Sequence, residues 1–231
     1  MTKLDVPDTA IATAATALLT SCSPGHLVNH CLRTFEFGLA LARRDHLEPD
    51  RELFYVAAAL HDLGLTKTFD GPRSFEEEGA EAAHAFLLRE RYPRVKADLV
   101  AEAVRLHLQL STATDPRPEV ALVHIGASAD VTGARLDDIP TTTVHQILDE
   151  FPRLDFSHAI TLLLTDQVNR KPTSQAARLV ELGILQLIAA APFSEYNDRS
   201  PWHMNKSGVR TYADGPGDPA KSGNEALHAD R

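Results

Sequence analysis

The chain has 231 residues and a formal net charge of -9, long enough for one well-buried domain and too acidic for general affinity to nucleic acid or anionic membranes, since no Lys/Arg block exists to release counterions. Two cysteines, Cys22 and Cys31, are too few for a disulfide framework or a thiolate zinc site, and as small buried fillers they fit a reducing compartment. The N-terminal stretch carries Asp5 and Asp8, lacks a basic region and is interrupted by threonines, which is the pattern of neither a signal peptide nor a membrane span, so a cytoplasmic protein with a small-molecule substrate is expected.

In chain order, apolar residues recur at helical spacing up to about Ala191, and alternating strand-like runs are absent, which predicts an all-α bundle. The predicted helices are Asp8–Thr20, Leu27–Arg44, Arg51–Asp62, Ser74–Arg91, Val95–Leu108, Glu119–Val131, Thr142–Glu150, Ser157–Val168 and Thr173–Ile188. Pro and Gly punctuate the gaps, as in Ser23-Pro24-Gly25, Gly71-Pro72 and Lys171-Pro172, and Ser74 with Glu77 predicts a capping box. One domain is expected over residues 1–196. From Asn197 to Arg231 the chain is polar and rich in Gly, Pro, Asp and Ser, the composition of a flexible tail in which Trp202 alone offers a docking group. Spare apolar helix surface leaves homo-oligomerisation open.

Four ionisable residues fall on apolar stripes. His30 shares a face with Leu27, Thr34, Phe37 and Leu41; His61 and Asp62 close the run Phe54 to Leu60, with Gly64 as the expected C-cap; and Asp130 continues the stripe Val120, Val123, Ala127. Burying these groups without partners is costly, and a shared cation removes the cost. His61 and Asp62 point about 100° apart on a helix, so they reach one ion only if it lies off the helix end and takes further ligands from elsewhere. His30 and Asp130 complete a set of two imidazoles and two carboxylates suited to Zn²⁺, or to Mn²⁺ or Fe²⁺.

The segments Asn29-His30-Cys31-Leu32-Arg33-Thr34, His61-Asp62-Leu63-Gly64-Leu65-Thr66, Phe75-Glu76 before Gly79-Ala80, Arg105-Leu106-His107, and Gly126 with Asp130-Val131 together resemble the HD-domain superfamily of metal-dependent hydrolases, most closely its cyanamide hydratase-like branch. The resemblance spans roughly residues 23–190 and implies an HD-type helical bundle with a divalent metal on His30, His61, Asp62 and Asp130. Relatives with two metals usually carry another histidine just ahead of the Gly-Ala pair. Phe75 stands in that region here, which favours a single ion and leaves His84 and His107 as the candidates to complete a second site.

Such an ion activates water and polarises a substrate atom at once. In the hydratase branch, water adds to a small nitrile-like molecule such as cyanamide, giving urea. Glu76, His107 and Asp62 are the candidate catalytic residues, Glu76 or His107 transferring the proton, with Glu76 equally at home in the solvated acidic run Glu76-Glu77-Glu78. The wider superfamily implies an alternative, a phosphohydrolase acting on a nucleotide or small phosphomonoester. That reaction needs cations at the phosphoryl group, for which Arg33, Lys67 and Arg73 are the candidates. His26, His84 and His124 are expected to be structural or exposed.

Overall fold

The structure, a computed structural model, describes residues 6–193 and the two segments Trp202–Met204 and Arg210–Tyr212. Residues 6–193 fold as an all-α bundle of α1 (Ala10–Cys22), α2 (Gly25–Asp45), α3 (Arg51–Leu60), α4 (Phe75–Arg89), α5 (Arg94–Leu106), α6 (Pro118–Thr132), α7 (Thr141–Glu150), α8 (Phe156–Arg170), α9 (Gln175–Glu181) and α10 (Ile184–Ala190). Beyond them, Trp202–Met204 pairs antiparallel with Arg210–Tyr212, placing Trp202 opposite Tyr212. The rest of the expected tail, and its boundary at residue 197, lie outside the described residues. Among the described residues no helix is long and apolar enough to cross a membrane. The two cysteines are free; Cys31 is buried as expected, but Cys22 is only half-buried.

Local chemistry sets most helix ends. Thr9 caps α1 by accepting from Ala12 N at 3.3 Å, and Asp50 caps α3 by accepting from Leu53 N at 3.1 Å. The Ser74/Glu77 capping box opens α4, with Ser74 N donating to the Glu77 carboxylate at 3.3 Å. One expected helix is divided: Thr173–Ile188 is two short helices, because Gly183 adopts φ 93° and ends the α9 ladder.

Two close backbone approaches position the interior. A Cβ on Gly126 of α6 would lie 2.0 Å from Thr34 O of α2, so these helices cross backbone to backbone. One turn from Thr34 stands His30, and one turn from Gly126 stands Asp130, so the crossing brings those two side chains face to face. The second approach corrects the expected role of Gly64. It is not a C-cap but the middle of a 3-10 turn, Leu63–Leu65, that follows His61-Asp62. A Cβ there would lie 1.9 Å from Phe75 O, so glycine lets the turn press on the start of α4. Gly64→Ala is expected to destabilise the fold by about 1–3 kcal/mol in denaturant unfolding, through overpacking. A loss below about 0.5 kcal/mol, the level of an ordinary surface change, would contradict that close approach.

Helix α3 is buried from Leu53 to Leu60, which fixes its end in the centre of the bundle. His61 and Asp62 emerge from that end with 0% and 4% exposure. The helix stops at Leu60 rather than at Asp62, leaving both residues at its terminus, as a shared ligand requires.

Candidate metal centre

Three buried donor atoms converge at the end of α3. His30 Nε2 and His61 Nε2 are 3.2 Å apart, and each lies 3.4 Å from Asp62 Oδ2. The other ring nitrogens decide what these atoms are. His61 Nδ1 donates to Ala58 O at 2.8 Å, and His30 Nδ1 donates to the Asp130 carboxylate at 2.7 Å, so in the neutral rings each Nε2 presents a lone pair. Two lone pairs and a carboxylate facing one another in a dry interior repel unless a cation lies between them. A tetrahedral ion with ligands at about 2.0–2.1 Å has ligand-to-ligand edges of about 3.3–3.4 Å. The observed separations match those edges, so the donor set fits a divalent ion.

Electrostatics point the same way for Asp62 and His61, and the other way for His30, whose proton a bound cation would have to displace. Burial raises the Asp62 carboxyl, but His61, His30 and His107 outweigh it and hold the group well below the usual carboxylate range. Burial lowers the His61 imidazole, favouring the neutral form that ligates metal. His30 is pulled down by burial, yet its neighbours Asp130 and Asp62 prevail and raise it.

Asp130 does not join this cluster. Its carboxylate lies behind His30 and accepts from Arg33 Nε at 2.7 Å, Arg33 Nη2 at 2.8 Å, Arg153 Nη1 at 2.8 Å and His30 Nδ1 at 2.7 Å. Those contacts fill the lone-pair positions of a carboxylate. The sequence predicts an inward Asp130, which is found at 0% exposure with its carboxylate on His30 Nδ1, an arrangement that fixes the tautomer and ring of a histidine. Asp130→Asn is therefore expected to weaken metal affinity by about 10–100-fold without abolishing binding, measured by competition with a chelating indicator. Complete loss of the ion would make Asp130 a direct ligand.

Arg33 is fully buried, and its Nη1 also donates to Phe151 O at 2.9 Å, tying the Asp130 clamp to the segment between α7 and α8. Two partners there were invisible from periodicity. Arg153 stacks on Phe193 at 3.6 Å while holding Asp130, and Phe156 stacks on the His30 ring with centroids 4.4 Å apart. The one sequence signal for such a cation was the buried acid itself, which requires compensation.

A cavity of about 100 Å³ opens on His30, His61 and Asp62. Its walls are mostly apolar, among them Leu65, Phe75, Ile160, Leu164 and Leu179, and among the described residues no Arg or Lys lines it. His107 lines it too. Its Nδ1 donates to Val104 O at 2.6 Å, and its Nε2 lies 3.6 Å from Asp62 Oδ1, too far for a hydrogen bond. Burial, then repulsion from His61, pushes its imidazole down to about 4, so it is neutral near pH 7. His124, expected to be structural or exposed, also lines the cavity and donates from Nδ1 to His107 O at 2.7 Å. It was missed because α6 is buried on nearly every face, so no single stripe marks its inward side.

The other candidates stand elsewhere. Glu76 is buried but borders a different cavity. Lys67 is exposed, and Arg73 is held by Glu78 and Glu81. His84 pairs with Asp98 at 2.8 Å on the surface, as expected for a residue outside the site.

A bundle with this His, His-Asp and Asp order defines a metal-dependent hydrolase class, and the family model for the HD domain matches residues 27–168, so the chain belongs to the HD domain family. Within it the chain is similar to the cyanamide hydratases DDI2 and DDI3 of Saccharomyces cerevisiae, at 29% identity over 159 residues, which is 66% of this chain and 70% of each relative. It is also 33% identical over 118 residues to a bifunctional uridylyltransferase/uridylyl-removing enzyme of Pseudomonas fluorescens, covering 50% of this chain and 13% of that enzyme.

Proposed function

We propose that the protein is a metal-dependent hydratase that adds water to a small nitrile-like molecule, converting cyanamide to urea. The observation that carries this reading is the cavity: about 100 Å³, apolar-walled, without an Arg or Lys among the described residues, and floored by the His30, His61 and Asp62 donors. Cyanamide, N≡C–NH₂, is a small uncharged rod that such walls accept, whereas a phosphomonoester would find no guanidinium or ammonium partner on them.

One divalent ion, Zn²⁺ by its preference for such donors or else Fe²⁺ or Mn²⁺, would be held by His30, His61 and Asp62, and when bound it supplies Lewis acidity toward water and the nitrile. The chain's own residues do the rest. Leu65, Ile160 and Leu164 exclude bulk water and align the rod-shaped substrate. His107, with Nδ1 committed to Val104 O, has Nε2 free to accept a proton from the attacking water and to return it to the nitrile nitrogen. The water oxygen bonds to the nitrile carbon, one C–N π bond breaks, and a proton shift from oxygen to nitrogen completes urea. Glu76 borders another cavity, which leaves this transfer to His107.

The test is a substrate panel on metal-replete protein: cyanamide, small nitriles, nucleoside monophosphates and an aryl phosphate. Urea from cyanamide without phosphate release is the expected result. Phosphate release without urea would reverse the assignment, since none of Arg33, Lys67 or Arg73 lines the metal cavity.

A further inference from the structure

Glu76 is the residue conspicuous in the sequence that the metal cavity does not use. It is 5% exposed, and its Oε2 has no hydrogen-bond partner among the described residues. Leaving a buried acceptor unpaired costs free energy that a ligand's donor would restore. Burial also holds its carboxyl above the ordinary value. The residue borders a cavity of about 510 Å³ where the start of α4, the end of α5 and the segment joining α8 to α9 meet.

Basic side chains surround this cavity, and most are already committed. Arg73 is held by Glu78 and Glu81, Arg170 by Asp166 and Asp70, and Lys171 by Asp70 at 2.7 Å. Arg105 and Arg178 are exposed, and their guanidinium groups have no ion pair or hydrogen bond among the described residues. Two free guanidinium groups on one cavity match the charge of a phosphate monoester, about -1.5 to -2 at neutral pH, and their forks match its oxygens. A buried acceptor beside them calls for an N–H on the same ligand.

We propose that this cavity binds a small amine-bearing phosphate monoester, its phosphate held by Arg105 and Arg178 and its nitrogen donating to Glu76 Oε2. The site is distinct from the metal centre. Phe75, Leu108 and Leu179 line the inner cavity, while their chain neighbours Glu76, Gln109 and Arg178 border the outer one. The two cavities are walled by the same segments but share no lining residue.

Calorimetric titration of the metal-replete full chain tests the proposal, with O-phosphoethanolamine as the probe and inorganic phosphate as the half-ligand. O-phosphoethanolamine is expected to bind at least about tenfold more tightly than phosphate, with the R105A/R178A double variant weakening it by about tenfold or more, the scale of a lost charge-assisted hydrogen bond. Glu76→Gln should remove the advantage over phosphate while leaving phosphate binding unchanged, and saturating cyanamide should displace neither probe. Absence of binding, unchanged affinity in the double variant, or displacement by cyanamide would overturn the proposal. Both arginines are exposed, so the double variant tests it independently of how Glu76→Gln folds.

Discussion

His61→Ala is expected to abolish hydration and metal retention together, and to lower the melting temperature. His61 supplies one of three donor atoms at 3.2–3.4 Å separation, and its removal leaves His30 Nε2 and Asp62 with an incomplete shell. A metal present at about 100 times its dissociation constant adds about 2.7 kcal/mol to the folded state. For a chain of this length that is roughly 5–11 °C in melting temperature. Chelator treatment of the wild type should reproduce most of the shift, and added Zn²⁺ should no longer stabilise the variant. A variant that keeps its ion would place the centre elsewhere.

The second large effect falls on His107. His107→Gln is expected to lower kcat by about 10²–10⁴-fold, the usual worth of a general acid-base group, with metal content unchanged. The pairing of these two readouts separates proton transfer from ligation. His107 Nε2 stands 3.6 Å from one Asp62 oxygen and outside the tight three-donor cluster, so its loss leaves the shell intact. Loss of the ion along with activity would make His107 a ligand and remove its assigned role.

The fold was legible because α2, α5 and α6 carry their chemistry on helices bounded by Pro, Gly and capping residues, so burial could be read from spacing. The inward placement of His30 and Asp130 followed from it. Spacing tells which way a side chain leaves its helix, not which atom meets which partner, and so Asp130 was expected on the ion rather than behind His30. Arg153 and Phe156 had no periodicity to betray them, since they lie at the junction of the α7–α8 segment with α8 and act through contacts with residues on other elements, Arg153 with Asp130 and Phe193 and Phe156 with His30. Gly183 divided an apparently continuous helix because one residue with positive φ outweighs an uninterrupted apolar pattern.

The branch-level resemblance and the cavity support the same chemistry from different directions. Phe75 lines the cavity with its ring 5.7 Å from that of His107. It fills space beside the donors with apolar surface, in keeping with one ion and a small, uncharged substrate.

X-ray absorption spectroscopy at the metal edge of the replete protein tests the central claim most directly. The account predicts a shell of nitrogen and oxygen only, at about 2.0–2.1 Å for zinc, with imidazole scattering from His30 and His61 that disappears with the ion in His61→Ala. A sulfur ligand, or a shell without imidazole, would contradict it.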